Sequence, residues 1–128
     1  MRCVSWNVNG IRALLRKERA PWTAVDGADL VAIQETNGRP DQLAAGEAEP
    51  DGWHAYWHPA ERGGYSGVAL FTRDEPDEVV LGCGDDRFDV EGRVIAALFG
   101  RVLVVGAYFP NSQGTGKRLD YKLAFCAR

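Results

Sequence analysis

Asp29-Leu30-Val31-Ala32-Ile33-Gln34-Glu35 is the stretch that sets the fold class. Leu30 to Gln34 is apolar on both faces of an extended chain, the composition of a strand covered on both sides. Upstream, Arg2 to Val8 alternates Cys3, Ser5 and Asn7 against Val4, Trp6 and Val8, a period-two strand pattern. Between the two strands, Ile11, Leu14, Leu15, Trp22 and Val25 recur at helical spacing with Pro21 interrupting, so one helix or two short ones are expected from about 11 to 27. Strand, helix and strand make a βαβ-like unit and an α/β fold.

Downstream, a short helix is expected from Pro40 to Ala48, with Pro40 or Asp41 in its first turn. A strand is expected around Trp53–His58, and another at Val68–Thr72 after the glycine-rich turn Glu61–Gly67. Val79–Leu81 reads as a short strand and Gly82–Gly92 as a long acidic loop. Val94–Phe99 and Val102–Tyr108 read as a hairpin turning at Gly100-Arg101. Lys117–Arg128 reads as a helix with Leu119, Leu123 and Cys126 on one face.

The 128 residues fit one domain, and no linker marks a second. Apolar residues are 45% and charged residues 26%, ordinary globular usage. The apolar run Val94–Phe109 is broken by Gly100, Arg101 and Gly106 and is too short to span a bilayer. No membrane partner is expected, and the N-terminus has no long apolar core of a signal peptide. Three cysteines, Cys3, Cys83 and Cys126, form no CxxC pair; they read as small core residues in a reducing, cytoplasmic protein. The net charge is −3, from 15 basic and 18 acidic side chains. It is unevenly spread: residues 1–40 carry six basic and four acidic groups, 41–100 four and thirteen, 101–128 five and one. A protein that merely coats nucleic acid should be basic overall, so that class is disfavoured. A phosphate site built from the two basic ends stays open.

Two candidate residues stand at strand ends. Asn7 closes the first strand and Glu35 follows the second, and ligands of α/β sheets gather at carboxyl ends. One carboxylate and one amide oxygen suit Mg²⁺, which takes few protein oxygens and keeps its waters. A surface glutamate and an Asx-turn asparagine would give the same pattern. Tyr108 to Ser112 ends another strand in polar groups, although a lone Tyr108 also suits a core or interface. His54 and His58 share a strand face but have no third ligand. The glycines at 63–67 lack the lysine of a phosphate loop.

Six strings together resemble the exonuclease III family of apurinic/apyrimidinic endonucleases. They are Ser5-Trp6-Asn7-Val8-Asn9-Gly10-Ile11-Arg12-Ala13, Ile33-Gln34-Glu35-Thr36, Gly64-Tyr65-Ser66-Gly67-Val68-Ala69, Glu91-Gly92-Arg93-Val94-Ile95, Tyr108-Phe109-Pro110-Asn111 and Arg118-Leu119-Asp120-Tyr121-Lys122, in family order. The resemblance implies a four-layer α/β sandwich, two packed mixed sheets flanked by helices, of which residues 1–128 would be the N-terminal half. It implies Mg²⁺- or Mn²⁺-dependent hydrolysis of DNA phosphodiesters in base excision repair, on double-stranded DNA with abasic sites or 3′ ends. Glu35 would be the metal carboxylate and Asn7 its amide neighbour. Tyr108 would stand beside the scissile phosphate, Asn111 would donate a hydrogen bond to it, and Arg12, Tyr65 and Arg93 would contact the DNA backbone.

The sequence departs from the family pattern in three ways. The GDxN and SDH strings of the family's second half are absent, so these residues alone are expected to be inactive; an incomplete sequence is the favoured explanation, and a half-protein that pairs with a separate C-terminal half the alternative. Asn37 stands where lysine is common, and Asn9 where some members carry aspartate. If the second sheet came largely from the missing half, strands 94–99 and 102–108 would have an uncovered apolar face. A non-catalytic DNA-binding or assembly fragment, and another phosphoesterase of the same superfamily, are the alternative readings.

Overall fold

The computed structural model describes all 128 residues, Met1 to Arg128. The βαβ expectation holds. Strand β1 (Cys3–Asn7) pairs in parallel with β2 (Leu30–Gln34), with Cys3 opposite Leu30 and Asn7 opposite Gln34. Between them lie helix α1 (Ile11–Leu15) and a separate 3₁₀ turn, Pro21–Thr23. Glu18, at a φ of 55°, breaks the helical path after α1, and Pro21, whose fixed φ suits a first helical position, starts the second turn. After a 3₁₀ turn at Pro40–Gln42 and a single turn α2 (Ala45–Ala48) come β3 (His54–His58) and β4 (Val68–Thr72). The first sheet has the order β1-β2-β4-β3 and is mixed, with β4 antiparallel to both its neighbours.

The second sheet is a meander of β5 (Glu78–Leu81), β6 (Val94–Phe99) and β7 (Val102–Ala107). It packs on the first sheet, and the alternation of the central strands divides the core. Leu30 and Ala32 of β2 and Val68 and Leu70 of β4 meet Ile95 and Ala97 of β6 between the sheets. Val31, Ile33, Ala69 and Phe71 project the other way, onto Val8, Ile11 and Trp53. β2 and β4 are therefore buried along their whole length. Gly106 permits the close approach of β7. A methyl there would lie 3.3 Å from Ile95 Cγ2 and 3.4 Å from Leu70 Cδ2.

Four expectations are corrected. The face of β6 toward β2 and β4 is covered, with Ile95 and Ala97 fully buried, because this one chain supplies strands to both sheets. What stays open is the edge: β7 ends its sheet, and Val102, Leu103 and Val105 are more than half exposed. The acidic segment 82–92 is not all loop, since Asp85 caps a one-turn helix α3 (Asp86–Asp89) by accepting from Arg87 N at 3.1 Å. Cys3 and Cys126 are exposed and Cys83 is half-buried, so the cysteines are not core residues. Helix α4 (Leu119–Cys126) exposes the Leu119, Leu123 and Cys126 face. It packs instead through Phe125 and Tyr121, each edge-on to Phe88 at 5.2 Å between ring centroids. α4 stands beside the outer face of the second sheet, where Phe125 shares a cavity with Val94, Val105 and Ala107. The layers thus run α1, first sheet, second sheet, α4. No helix is long and apolar enough to cross a membrane.

Candidate active site

The loops after β1 and β2 are stitched to each other and to the entry of β4. Val8 N donates to Gln34 O at 2.9 Å, Gly10 N to Glu35 O at 2.8 Å and Ile11 N to Thr36 O at 2.9 Å. Thr36 N reaches Gly67 O, and Asn37 N reaches Ser66 O at 2.9 Å. These bonds hold four non-glycine residues at positive φ: Asn9 (46°), Glu35 (54°), Asn37 (48°) and Ser66 (51°). Asparagine tolerates this conformation, but glutamate and serine rarely adopt it, and such residues concentrate at functional sites.

The turn at Glu35 brings its carboxylate beside Asn7, whose Nδ2 donates to Oε1 at 2.8 Å. Asn7 Oδ1 in turn accepts from Asn9 N at 3.1 Å. Asn7 therefore orients Glu35 through its N–H, and its oxygen is engaged within its own loop. Tyr108, just past β7, faces the same carboxylate. Burial and then the hydrogen bond to Glu35 push the Tyr108 phenol up to about 12, so it stays protonated and can donate. Its backbone is fixed by the bond from Tyr108 N to Arg93 O at 2.8 Å. Asn7, Glu35 and Tyr108, far apart in sequence, thus form one cluster. Glu35 is the group able to hold a cation. The donor set is all oxygen, which suits Mg²⁺ or Mn²⁺ rather than a softer metal. No group of three or more His, Cys, Asp or Glu side chains gathers in the chain. His58 Nδ1 is instead 2.8 Å from Val94 O.

The remaining candidates separate. Asn111 is exposed, and its Oδ1 accepts from Gln113 N at 2.8 Å, leaving its amide N–H groups without a partner in the fold. Arg12 is exposed on α1 without an ion pair, on the rim of a cavity shared with Arg16 and Gln42. Arg93 differs. It is 1% exposed, and its donors are spent on Glu91 Oε2 (2.7 Å), Tyr108 O (3.1 Å) and Tyr65 OH (3.0 Å). A guanidinium so enclosed has its donors engaged within the fold, whereas the DNA-backbone contact expected of Arg93 requires an accessible one. The Tyr65 hydroxyl is likewise turned inward, accepting from Arg93 and Arg118. Its residue still lines a cleft of about 480 Å³ with Arg62, Gln113 and Arg118.

Reading the sequence assigned no role to Glu91, Arg118 and Tyr121, although each lay in a motif string. Glu91 accepts from Arg93 and Arg118, both at 2.7 Å, and from Tyr121 OH at 2.9 Å. Burial works to raise its pKa, but the bonds from Arg118, Arg93 and Tyr121 outweigh that and hold the carboxyl below the usual glutamate range. The signal available was the i, i+2 spacing of Glu91 and Arg93 just before a strand. That spacing alone does not reveal that Arg118 and Tyr121 return to the same carboxylate.

Two packed sheets with a carboxylate, an amide and a tyrosine at their joined ends define a phosphoesterase-like α/β sandwich. Residues 4–127 match the endonuclease/exonuclease/phosphatase family, and the chain belongs to it. It is 40% identical over 124 residues to an exodeoxyribonuclease of Bacillus subtilis, covering 96% of this chain and 48% of that protein. It is 40% identical over 124 residues to the DNA repair nuclease APEX1 of Danio rerio, covering 95% of this chain and 40% of that one. The solved AP endonuclease of Archaeoglobus fulgidus superimposes with a TM-score of 0.81 at 26% identity, over 99% of this chain and 49% of that chain. The chain thus spans about half the length, or less, of the relatives it matches.

Proposed function

We propose that this chain carries the metal-holding, phosphate-facing half of a divalent-metal-dependent DNA phosphodiesterase acting at abasic sites or 3′ ends. The observation that carries the reading is the Glu35 carboxylate, held at positive φ and flanked by Asn7 Nδ2 at 2.8 Å and by Tyr108. Glu35 would hold Mg²⁺ or Mn²⁺, which when bound supplies charge neutralisation to a phosphodiester that otherwise repels its nucleophile. Asn7 fixes the carboxylate's orientation. Tyr108, protonated at neutral pH, would turn its single O–H from Glu35 to a phosphate oxygen once a cation occupies the carboxylate, and Asn111 offers its free N–H groups to another. Positioned donors of this kind are most of what phosphoryl transfer asks of a protein. Arg12 would meet the DNA backbone. An abasic nucleotide lacks stacking and costs less to extrude from the duplex, which favours that substrate.

The likeness to nucleases of about twice this length supports a second proposal, that the active form includes a further polypeptide segment like their second half. β1 and β7 are both edge strands, and their edges flank a largely apolar cleft lined by Val4, Val104, Ala107 and Phe109. Open edges of this kind accept added strands. Without that segment the 128-residue polypeptide is proposed to bind the cation but not to cut DNA.

Mn²⁺ titration followed by electron paramagnetic resonance tests the carrying observation on this chain. Binding should be present in the wild type and at least about tenfold weaker in Glu35→Gln, which removes a ligand charge but little packing. Equal affinity in the two would refute the metal assignment. Incision of abasic duplex with Mg²⁺, by this chain alone and by a chain completed with a relative's second half, tests the rest.

A further inference from the structure

Beneath the proposed site lies a network that the proposed chemistry does not use. Glu91 sits between α3 and β6 and lines the same cleft as Tyr65, Arg62 and Arg118. Its Oε1 accepts from Arg118 at 2.7 Å, and its Oε2 from Arg93 at 2.7 Å and Tyr121 at 2.9 Å. Three elements thereby converge on one carboxylate: the start of β6, the approach to α4 and α4 itself. Arg93 then passes the constraint upward. Its guanidinium is buried, lies 4.9 Å from the centroid of the Tyr108 ring and donates to Tyr108 O at 3.1 Å. The contacts run from Tyr121 and Arg118 through Glu91 and Arg93 to Tyr108. The Tyr108 hydroxyl lies close enough to Glu35 for that carboxylate to hold its proton on, and Glu35 accepts from Asn7 Nδ2.

We infer that Glu91 is a positioning residue, which by gathering Arg93, Arg118 and Tyr121 fixes Tyr108 against the Glu35 carboxylate. The physical case is one of alternatives denied. An arginine pinned on one edge by a carboxylate and on another by a backbone carbonyl has one arrangement, and the ring stacked on it inherits that arrangement. Without the carboxylate, Arg93 and Arg118 are two cations sharing the Tyr65 hydroxyl. They repel each other, and Arg93 loses the partner that balances its burial. The role of Tyr108 toward phosphate belongs to the phosphodiesterase reading, on which the functional meaning of this inference rests. The coupling itself needs neither metal nor DNA.

The test is a double-mutant cycle read by ¹⁹F NMR on this chain labelled with 3-fluorotyrosine. Four resonances are expected, from Tyr56, Tyr65, Tyr108 and Tyr121, and Tyr108→Phe assigns the one of interest. Glu35→Gln should shift the Tyr108 resonance in the wild-type background. In the Glu91→Gln background the same change should shift it less, by about twofold or more, because the ring is no longer held against position 35. Tyr121→Phe, which deletes one hydroxyl donor to Glu91, should give a partial loss, and it decides the question alone if Glu91→Gln does not fold. Glu61→Gln, an exposed carboxylate of the same cleft, should leave the shift unchanged. A merely structural Glu91 would lower the melting temperature and leave the Glu35-dependent shift intact in every folded variant, and that result overturns the inference. Absence of Mn²⁺ binding in the wild type would instead count against the phosphodiesterase reading and leave this cycle valid.

Discussion

Arg12 and Arg93 show how far a residue's type and motif can stand from its role. Both are arginines in motif strings, yet one is exposed and unpaired and the other is 1% exposed and fully engaged. In a completed chain that binds abasic duplex, Arg12→Ala should lower affinity alike for all sequences and reduce the salt slope by about one unit, as loss of one phosphate contact does. Arg93→Ala should behave differently. It strips Glu91 of one partner and leaves space beneath Tyr108, so stability should fall by about 3–5 kcal/mol, as when one member of a buried pair is removed. Urea unfolding and a salt titration of binding separate the two outcomes. Glu91 adds a pH dependence. Its carboxyl is depressed in the folded chain, so the stability it contributes is complete above the ordinary glutamate value of about 4.3. That contribution drains as pH falls from there through the lower folded value. Urea midpoints measured from pH 6 to pH 3 should therefore fall less steeply for Glu91→Gln than for the wild type; parallel curves would show that the carboxylate contributes nothing.

At the scale of elements, the strands were legible and the helices less so, for a physical reason. β2 and β4 are covered on both faces, and their unbroken apolar runs say so. The hairpin β6–β7 turns at Gly100, where φ is 58° and a side chain would be strained. Helices α1, α2 and α3 have five, four and four residues. α1 and α2 fall inside expected helical stretches but are single turns whose bounds so short a pattern does not fix, and α3 is made by the Asp85 cap rather than by an apolar stripe. α4 was found, but its packed face was not. Its anchors Tyr121 and Phe125 meet Phe88, a residue of the unforeseen α3. Glu35 and Tyr108 could be nominated from strand ends, whereas the Glu91 network needed the tertiary fold. The turn into β6 is sensitive to a single change. At Gly92 φ is 58°, and a methyl would press on His58 O and lie 2.6 Å from Pro59 C. Both are backbone atoms and cannot swing aside. Gly92→Ala should cost about 3 kcal/mol or more, combining left-handed strain with the clash. A urea midpoint unchanged from wild type would mean the strand β3 exit yields more readily than its packing implies.

For the whole molecule, the decisive feature is that the core closes while the sheet edges do not. The two sheets cover each other through Leu30, Leu70, Ile95 and Ala97, each 1% exposed or less, so a folded unit is expected of this polypeptide. Yet β7 ends its sheet with unpaired backbone groups and carries Leu103 at 61% and Val105 at 54% exposure. Nearby Phe109 is 58% exposed, and Leu123 on α4 is 57%. Long apolar edges template pairing with another chain, and natural edges usually carry a charge, a proline or a bulge against it. β7 is Val-Leu-Val-Val-Gly-Ala and has none of these. Apolar surface of a few hundred Å² left in water is at the upper end of what monomers tolerate. The 128-residue polypeptide on its own should therefore self-associate, with an apparent mass in sedimentation that exceeds the monomer and rises with concentration. Leu103→Lys together with Val105→Lys should reverse this without loss of the folded core, since neither side chain is buried and charged edge residues oppose pairing. A wild-type chain that sediments as a monomer at all concentrations would mean that the edge is protected by something other than sequence. A double lysine variant that still associates would move the contact to the α4 face around Leu119 and Leu123.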